Sequence, residues 1–302
     1  MATDLISIVF EVLLVLLTYF MSSGLSLIAT KALIPHGGQL SVVLHRSIYI
    51  PVMVLTLLLI RRRFAGWDLA DLGFRTGEGF RANLRDGLIA FSASYLAYLP
   101  FLAVLMPQYA AQIVFGEHSG DVSLHRLGLK LLFFSPVVLI DSPVPEEIFF
   151  RGYYLGMLSK SFKPVVGISA STLFFALGHA LNHPDWSPGL VFATIPIGLI
   201  LAYTYHETRS LISVVTSHFL INFLPLYPIL FYSKEYTPLA ALTCLVIAIV
   251  SLTILKRYKN RTEELLCKTK PMKLLNYRLI LLVTLFTALP LLFSYLAIVF
   301  KS

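Results

Sequence analysis

Runs of apolar residues, separated by short polar stretches, repeat along this chain from end to end. A bilayer's hydrocarbon core takes about 20 consecutive apolar residues per helix. Runs of this kind fall near 5–29, 40–60, 87–106, 127–142, 146–160, 164–182, 189–205, 211–232, 237–255 and 277–299. Several are short or adjoin one another, so the pattern predicts about eight or nine transmembrane helices. The alternating ten-residue strands of an outer-membrane barrel are absent. With lipid as solvent the backbone must satisfy its own hydrogen bonds, which a helix does and an open sheet does not. The predicted fold is all-α: a polytopic membrane helical bundle, with residues 1–302 forming one integral membrane domain and no internal repeat.

Composition supports that reading. Hydrophobic residues make up 57% of the chain and charged residues 13%, where a soluble domain is about a quarter charged. One core cannot hide that much apolar surface, so the lipid bilayer is the expected partner. The net charge of +8 sits in the connections. Arg61, Arg62 and Arg63 follow the second run, with Arg75, Arg81 and Arg85 in the same connection; Lys160, Lys163 and Arg209 mark later turns, and Lys256 to Lys273 the last long one. Basic loops face the cytoplasm, and the less basic stretches 107–126 and 182–188 alternate with them. That distribution accounts for the basic balance, and with no basic groove interleaved with aromatics, no nucleic-acid partner is expected. Residues 66–86 read as an interfacial connector, with Trp67, Leu69, Leu72 and Phe74 at the headgroups. The first apolar run lacks a basic leader and a small-residue cleavage site, so it reads as a retained span. The absence of a long extension points to a prokaryotic cell (inner) membrane. With only Cys244 and Cys267 there is no disulfide framework and no CxxC metal pair.

Ionisable groups inside apolar runs mark functional sites by default. Three clusters qualify: Glu146, Glu147 and Arg151 in "PVPEEIFFRG"; His179 in "STLFFALGHAL"; His218 and Asn222 in "VVTSHFLINF". On a helix, residues four apart share a face and neighbours stand about 100° apart. Glu147 and Arg151 are therefore placed to pair, acid before base, which leaves Glu146 for proton transfer. Phe175 shares a face with His179, and His218 with Asn222. A structural ion pair at a kink made by Pro143 and Pro145 would give the first cluster equally well, and a core histidine bonded to a backbone carbonyl would explain either His alone.

Depth links the clusters. At 1.5 Å per residue, Glu146 lies about 21 Å from Lys160, His179 about 24 Å from Lys163, and Asn222 about 20 Å from Arg209, with His218 about 13 Å in. Three helices could thus surround one polar pocket, nearer the outer half of the bilayer. Glu and His together can deprotonate a water and return the proton to a leaving amine, and His with Asn can donate to a developing oxyanion. Those are the parts for amide hydrolysis without a covalent intermediate. Other routes are less well supplied. "HETRS" at 206–210 lacks the second His of HExxH, and "GISA" at 167–170 is a weak match to a serine-protease loop. His179 and His183 are a possible zinc pair, but His183 precedes Pro184 in an expected loop. No metal and no cofactor is therefore expected, with a metal-dependent membrane hydrolase kept as an alternative. A non-catalytic protein (a transporter, immunity or scaffold protein) binding through the same pocket is the other.

The motifs resemble those of the CPBP family of intramembrane proteases, which includes the CAAX prenyl endopeptidases. The family's EExxxR reads here "EEIFFR", Glu146 to Arg151; its FxxxH reads "FALGH", Phe175 to His179; its HxxxN reads "HFLIN", His218 to Asn222. The resemblance covers about residues 127–230, the core carrying the protease-like motifs. It implies metal-independent glutamic endoproteolysis within the membrane. Glu146 and His179 would activate water, His218 and Asn222 would stabilise the oxyanion, and Glu147, Arg151 and Phe175 would organise the site. The implied substrate is a membrane-anchored protein or peptide: prenylated, lipidated or held by a C-terminal anchor.

Overall fold

The computed structural model describes residues 79–115, 143–182, 187–224 and 237–267, with 18, 21–22, 25–26, 28–33, 44, 48–49, 51–56, 59 and 72–73. Every regular element among them is helical. In chain order these are α1 (Phe80–Phe115), α2 (Pro143–Glu147), a π-helical segment (Ile148–Leu155), α3 (Gly156–Ser161), α4 (Pro164–Asn182), α5 (Ser187–Thr208), α6 (Leu211–Phe223), α7 (Thr237–Arg257) and α8 (Lys259–Cys267).

The later apolar runs and the helices coincide closely. The run at 164–182 is α4, 189–205 lies within α5, and 237–255 lies within α7. The run at 146–160 falls inside a continuous helix made of α2, the π segment and α3. Helix α6 spans Leu211–Phe223, and residues 225–232 of the predicted run lie outside the described residues. Pro225 lacks the N–H that would extend the ladder. Ser210 opens α6 as its N-cap, its hydroxyl accepting from the Ser213 N–H at 3.4 Å. The runs at 5–29, 127–142 and 277–299 lie largely or wholly outside the described residues.

Helix α4 packs on α5, and α1 packs on α5, α6 and α7. Small residues set the close crossings. A Cβ on Gly87 of α1 would lie 2.7 Å from the Ser213 carbonyl oxygen of α6, and one on Gly198 of α5 would lie 3.1 Å from Phe175 Cδ1 of α4. The core between these helices is aromatic and aliphatic, with Tyr95, Phe149, Tyr153, Phe175, Ile200 and Tyr205 all fully buried.

Two polar connections differ from the expectation of interfacial loops. Leu72 is buried rather than at a headgroup layer. Its carbonyl accepts from Tyr205 Oη at 3.2 Å, and the next carbonyl, of Gly73, accepts from the Leu211 N–H at 3.1 Å. Gly73 has φ +89°, and a Cβ there would meet the Arg209 carbonyl oxygen at 2.9 Å, so this turn needs glycine. The connector thus plugs the α5–α6 turn, where its backbone groups find partners. Trp67, Leu69 and Phe74 lie outside the described residues. The basic stretch after α7 is also not a loop throughout, because 259–267 form α8. Arg261 of α8 grips the buried Asp86 of α1 through Nε at 3.2 Å and Nη2 at 2.6 Å, while Arg85 donates to the same carboxylate at 3.0 Å.

Among the described residues, no helix is both long and apolar enough to cross a membrane. Their apolar side chains nevertheless point outward in rows. Leu173 and Leu177 on α4, and Leu242, Leu245, Val246, Ile249 and Val250 on α7, are exposed.

Candidate active site

The π segment begins immediately after Glu147. Its i→i+5 ladder is wider than an α turn, a geometry that recurs at functional sites; at its far end the Gly156 N–H reaches the Arg151 carbonyl five residues back. Pro143 and Pro145 lie in α2 rather than at a kink, and the irregularity comes from the π turn that follows. A wider ladder fits more residues into each turn and so advances less per residue. Glu147 therefore lies closer along the axis to the end of α3 than a straight α-helix would place it.

Glu147 and Arg151 form the expected pair. Arg151 Nη1 donates to Glu147 Oε1 at 2.9 Å, and both side chains are fully buried. Two further partners hold the guanidinium. Nη2 donates to the Gly198 carbonyl oxygen at 3.2 Å, and Cζ lies 4.3 Å from the centroid of the Phe175 ring. Arg151 also lies within electrostatic range of Glu146. Sequence spacing did not reveal Gly198, whose missing side chain lets α5 approach both Phe175 and Arg151.

Helix α6 supplies the third cluster. His218 Nδ1 lies 2.7 Å from the same Glu147 Oε1. His218 thus meets Glu147 rather than sharing only a ligand with Asn222, and this contact spans 71 residues of sequence. Asn222 sits one turn later and is half-buried, as is Glu146.

Phe175 is the aromatic hub. Its ring stands 4.6 Å from that of His179, 5.6 Å from that of His218 and 5.5 Å from that of Phe150, measured between centroids. Its carbonyl oxygen is 2.9 Å from His179 Nδ1. A carbonyl can only accept, so Nδ1 carries the hydrogen and Nε2 of a neutral His179 is left as an acceptor. From α4, Ser171 Oγ also donates to the Phe150 carbonyl oxygen at 2.9 Å, tying α4 to the π segment.

The arrangement separates the ionisable residues by burial. Glu147, Arg151 and His218 are closed off from solvent, and Glu146, His179 and Asn222 are half-buried at its margin. Ser169 of "GISA" is exposed near the start of α4, about 15 Å along the axis from His179, so it is no partner for that histidine. His183 lies outside the described residues. Among the described residues, no three His, Cys, Asp or Glu side chains are grouped so as to hold a metal ion.

No curated protein and no solved structure matches the chain. Residues 128–224 match the family model described as Rce1-like, Type II CAAX prenyl endopeptidase Rce1-like. The matched stretch is roughly a third of the chain and contains α2 through α6, hence all three motifs. The segment that builds the site is therefore similar to the Rce1-like type II CAAX prenyl endopeptidases, the family its three motifs resemble.

Proposed function

We propose that the protein is a multi-pass intramembrane endopeptidase that hydrolyses a peptide bond of a membrane-anchored protein by glutamate- and histidine-activated water. One observation carries this reading. Three motifs far apart in sequence converge on Glu147 and Phe175, inside the segment that matches the protease family. A buried ion pair needs only two of those groups. The histidines, one held through each Nδ1, are extra, and general acid–base chemistry is their simplest use.

In the proposed mechanism Glu146 and His179 share the water. His179 Nε2 is the lone pair left by the Nδ1–Phe175 bond, so it is the acceptor for the water's proton, with Glu146 alongside. Proton return to the leaving amine completes hydrolysis. Asn222 and His218 flank the scissile carbonyl as oxyanion donors. Glu147, Arg151 and Phe175 hold the frame, and the reaction proceeds without a metal. The rows of exposed leucine, isoleucine and valine on α4 and α7 support a lipid setting, with about eight or nine spans in a prokaryotic inner membrane.

The test is cleavage of a membrane-anchored reporter by the purified protein in detergent. Glu146→Ala and His179→Ala are each expected to lower kcat by about 10²-fold or more while leaving thermal unfolding close to wild type. Undiminished cleavage in either variant removes it from the mechanism. Wild-type activity that survives a chelator supports the metal-free route, and restoration of lost activity by added zinc would replace it.

A further inference from the structure

The two adjacent glutamates do not share a role, and the fully buried one has a connection that the water mechanism leaves unused. Glu147 Oε1 is the meeting point of two donors from different elements: Arg151 Nη1 at 2.9 Å from the π segment and His218 Nδ1 at 2.7 Å from α6. Its other oxygen, Oε2, is buried and makes no hydrogen bond. We infer that Glu147 is a positioning residue for His218, holding the ring through Nδ1–H so that Nε2 is the nitrogen that works at the site. The catalytic meaning rests on the protease reading; the bond itself does not.

The argument is one of donors and acceptors. Arg151 is always charged and can only donate, so Oε1 accepts from that side. The imidazole nitrogen that faces the same oxygen must then bring a hydrogen of its own, which places it on Nδ1. The short separation suits a bond of charge-assisted type. His179 is held the same way through Nδ1, by the Phe175 carbonyl. Both histidines therefore act from Nε2, but their anchors differ. A neutral carbonyl holds His179, and a carboxylate holds His218. A ring that keeps Nδ1–H on Glu147 and donates to an oxyanion from Nε2 carries two protons, and the carboxylate is the anion matched to that cation. The charges facing His218 agree with this assignment. Glu147 faces it from α2, with Glu146 next in the chain, and Arg151 faces it from the π segment; His179 stands across the Phe175 ring on α4. Helix α5 has no charged residue between Thr194 and Tyr205. The α1 charges Arg85 and Asp86 lie by the Gly87–Ser213 crossing, about 7.5 Å along α6 from His218.

Because both donors meet on one oxygen, a glutamine can replace Glu147 without changing the pattern. Its carbonyl would take the place of Oε1, and its amide would fall where Oε2 makes no bond. Glu147→Gln is therefore expected to keep the Nδ1–H form of His218, while the loss of the carboxylate's charge lowers kcat by less than in the double variant Glu147→Leu with Arg151→Met. The double variant removes the buried charges together, which an interior tolerates far better than removing one. It also takes away the acceptor. There kcat is expected to fall about 10²-fold or more, as when a catalytic histidine loses the group that sets its tautomer, with KM within about threefold.

Two readouts separate positioning from mere support. The first is the ¹⁵N NMR signature of His218 in uniformly ¹⁵N-histidine-labelled full-length protein, assigned by its loss in His218→Ala. Nδ1–H is expected in wild type and in Glu147→Gln, and is lost as the dominant form in the double variant. The second is a cycle: in a His218→Ala background the double change should cost no further kcat. A His218 ring in Glu147→Gln that carries Nε2–H with an unprotonated Nδ1, an unchanged His218 signal in the double variant, or fully additive losses would overturn the inference. If the double variant does not fold, the Glu147→Gln spectrum alone still decides. The NMR arm uses no substrate, so a failure of the protease reading would show separately, as an inactive wild type.

Discussion

Arg151 shows how this site differs from an ordinary salt bridge. Its guanidinium is shared among a carboxylate, a backbone carbonyl and an aromatic face, all with water excluded. A planar fork can serve all three at once, and a lysine ammonium cannot. Arg151→Met is expected to lose about 3–5 kcal/mol of stability, because Glu147 is then buried without its countercharge. Arg151→Lys should fall between Met and wild type, since it restores charge without the second bond or the stacking. Adding Glu147→Leu to Arg151→Met should recover most of the stability and none of the activity. Thermal unfolding in detergent, read beside reporter cleavage, checks all three, and a double variant no more stable than Arg151→Met would mean that packing rather than charge sets the loss.

At the level of elements, the π segment aims the motif. Residues before and after it belong to one continuous helix, so any change in its winding rotates Glu146 and Glu147 relative to everything that follows. Deleting one residue from 148–155 would let the ladder close as an α-helix and change the angle at which the glutamates face His218. The expected result is normal helical content by circular dichroism with cleavage lost, whereas a surviving Glu147–His218 contact would show that tertiary packing re-forms the π turn. This element was not legible in the sequence. Hydrophobic runs report length and burial, and they gave α4, α5 and α7 nearly end to end because an apolar run is a direct count of buried or lipid-facing positions. They do not report winding. The Glu147–Arg151 pair was legible because it is local, four residues apart. The Glu147–His218 bond was not, because nothing in either motif specifies its partner 71 residues away. Leu72 and α8 were misread for a related reason: a polar neighbourhood suggests a loop, and only the fold shows that Gly73 plugs a turn or that Arg261 reaches Asp86.

For the whole molecule, the remaining question is what solvent the outward apolar rows meet. Leu173 on α4 and Ile249 on α7 are each 54% exposed. On a water-exposed helix a change from an apolar residue to lysine at such positions is close to neutral, within about 0.5 kcal/mol. In the hydrocarbon core the same change costs about 2.5–3.5 kcal/mol on insertion scales, and far more for a helix that cannot let the ammonium reach the interface. Leu173→Lys and Ile249→Lys together are therefore expected to lower the fraction of protein that resists alkaline extraction from membranes, while Leu173→Ser with Ile249→Ser should act more weakly. Lys259→Ser on the exposed, charged face of α8 serves as the control and should leave extraction unchanged. If both lysine substitutions were as silent as that control, these faces would lie against water, and the bilayer setting of the proposed protease would have to rest on the segments outside the described helices. If the lysines act, Leu173 lies in hydrocarbon about 9 Å along α4 from His179, a setting that favours a substrate held in the membrane.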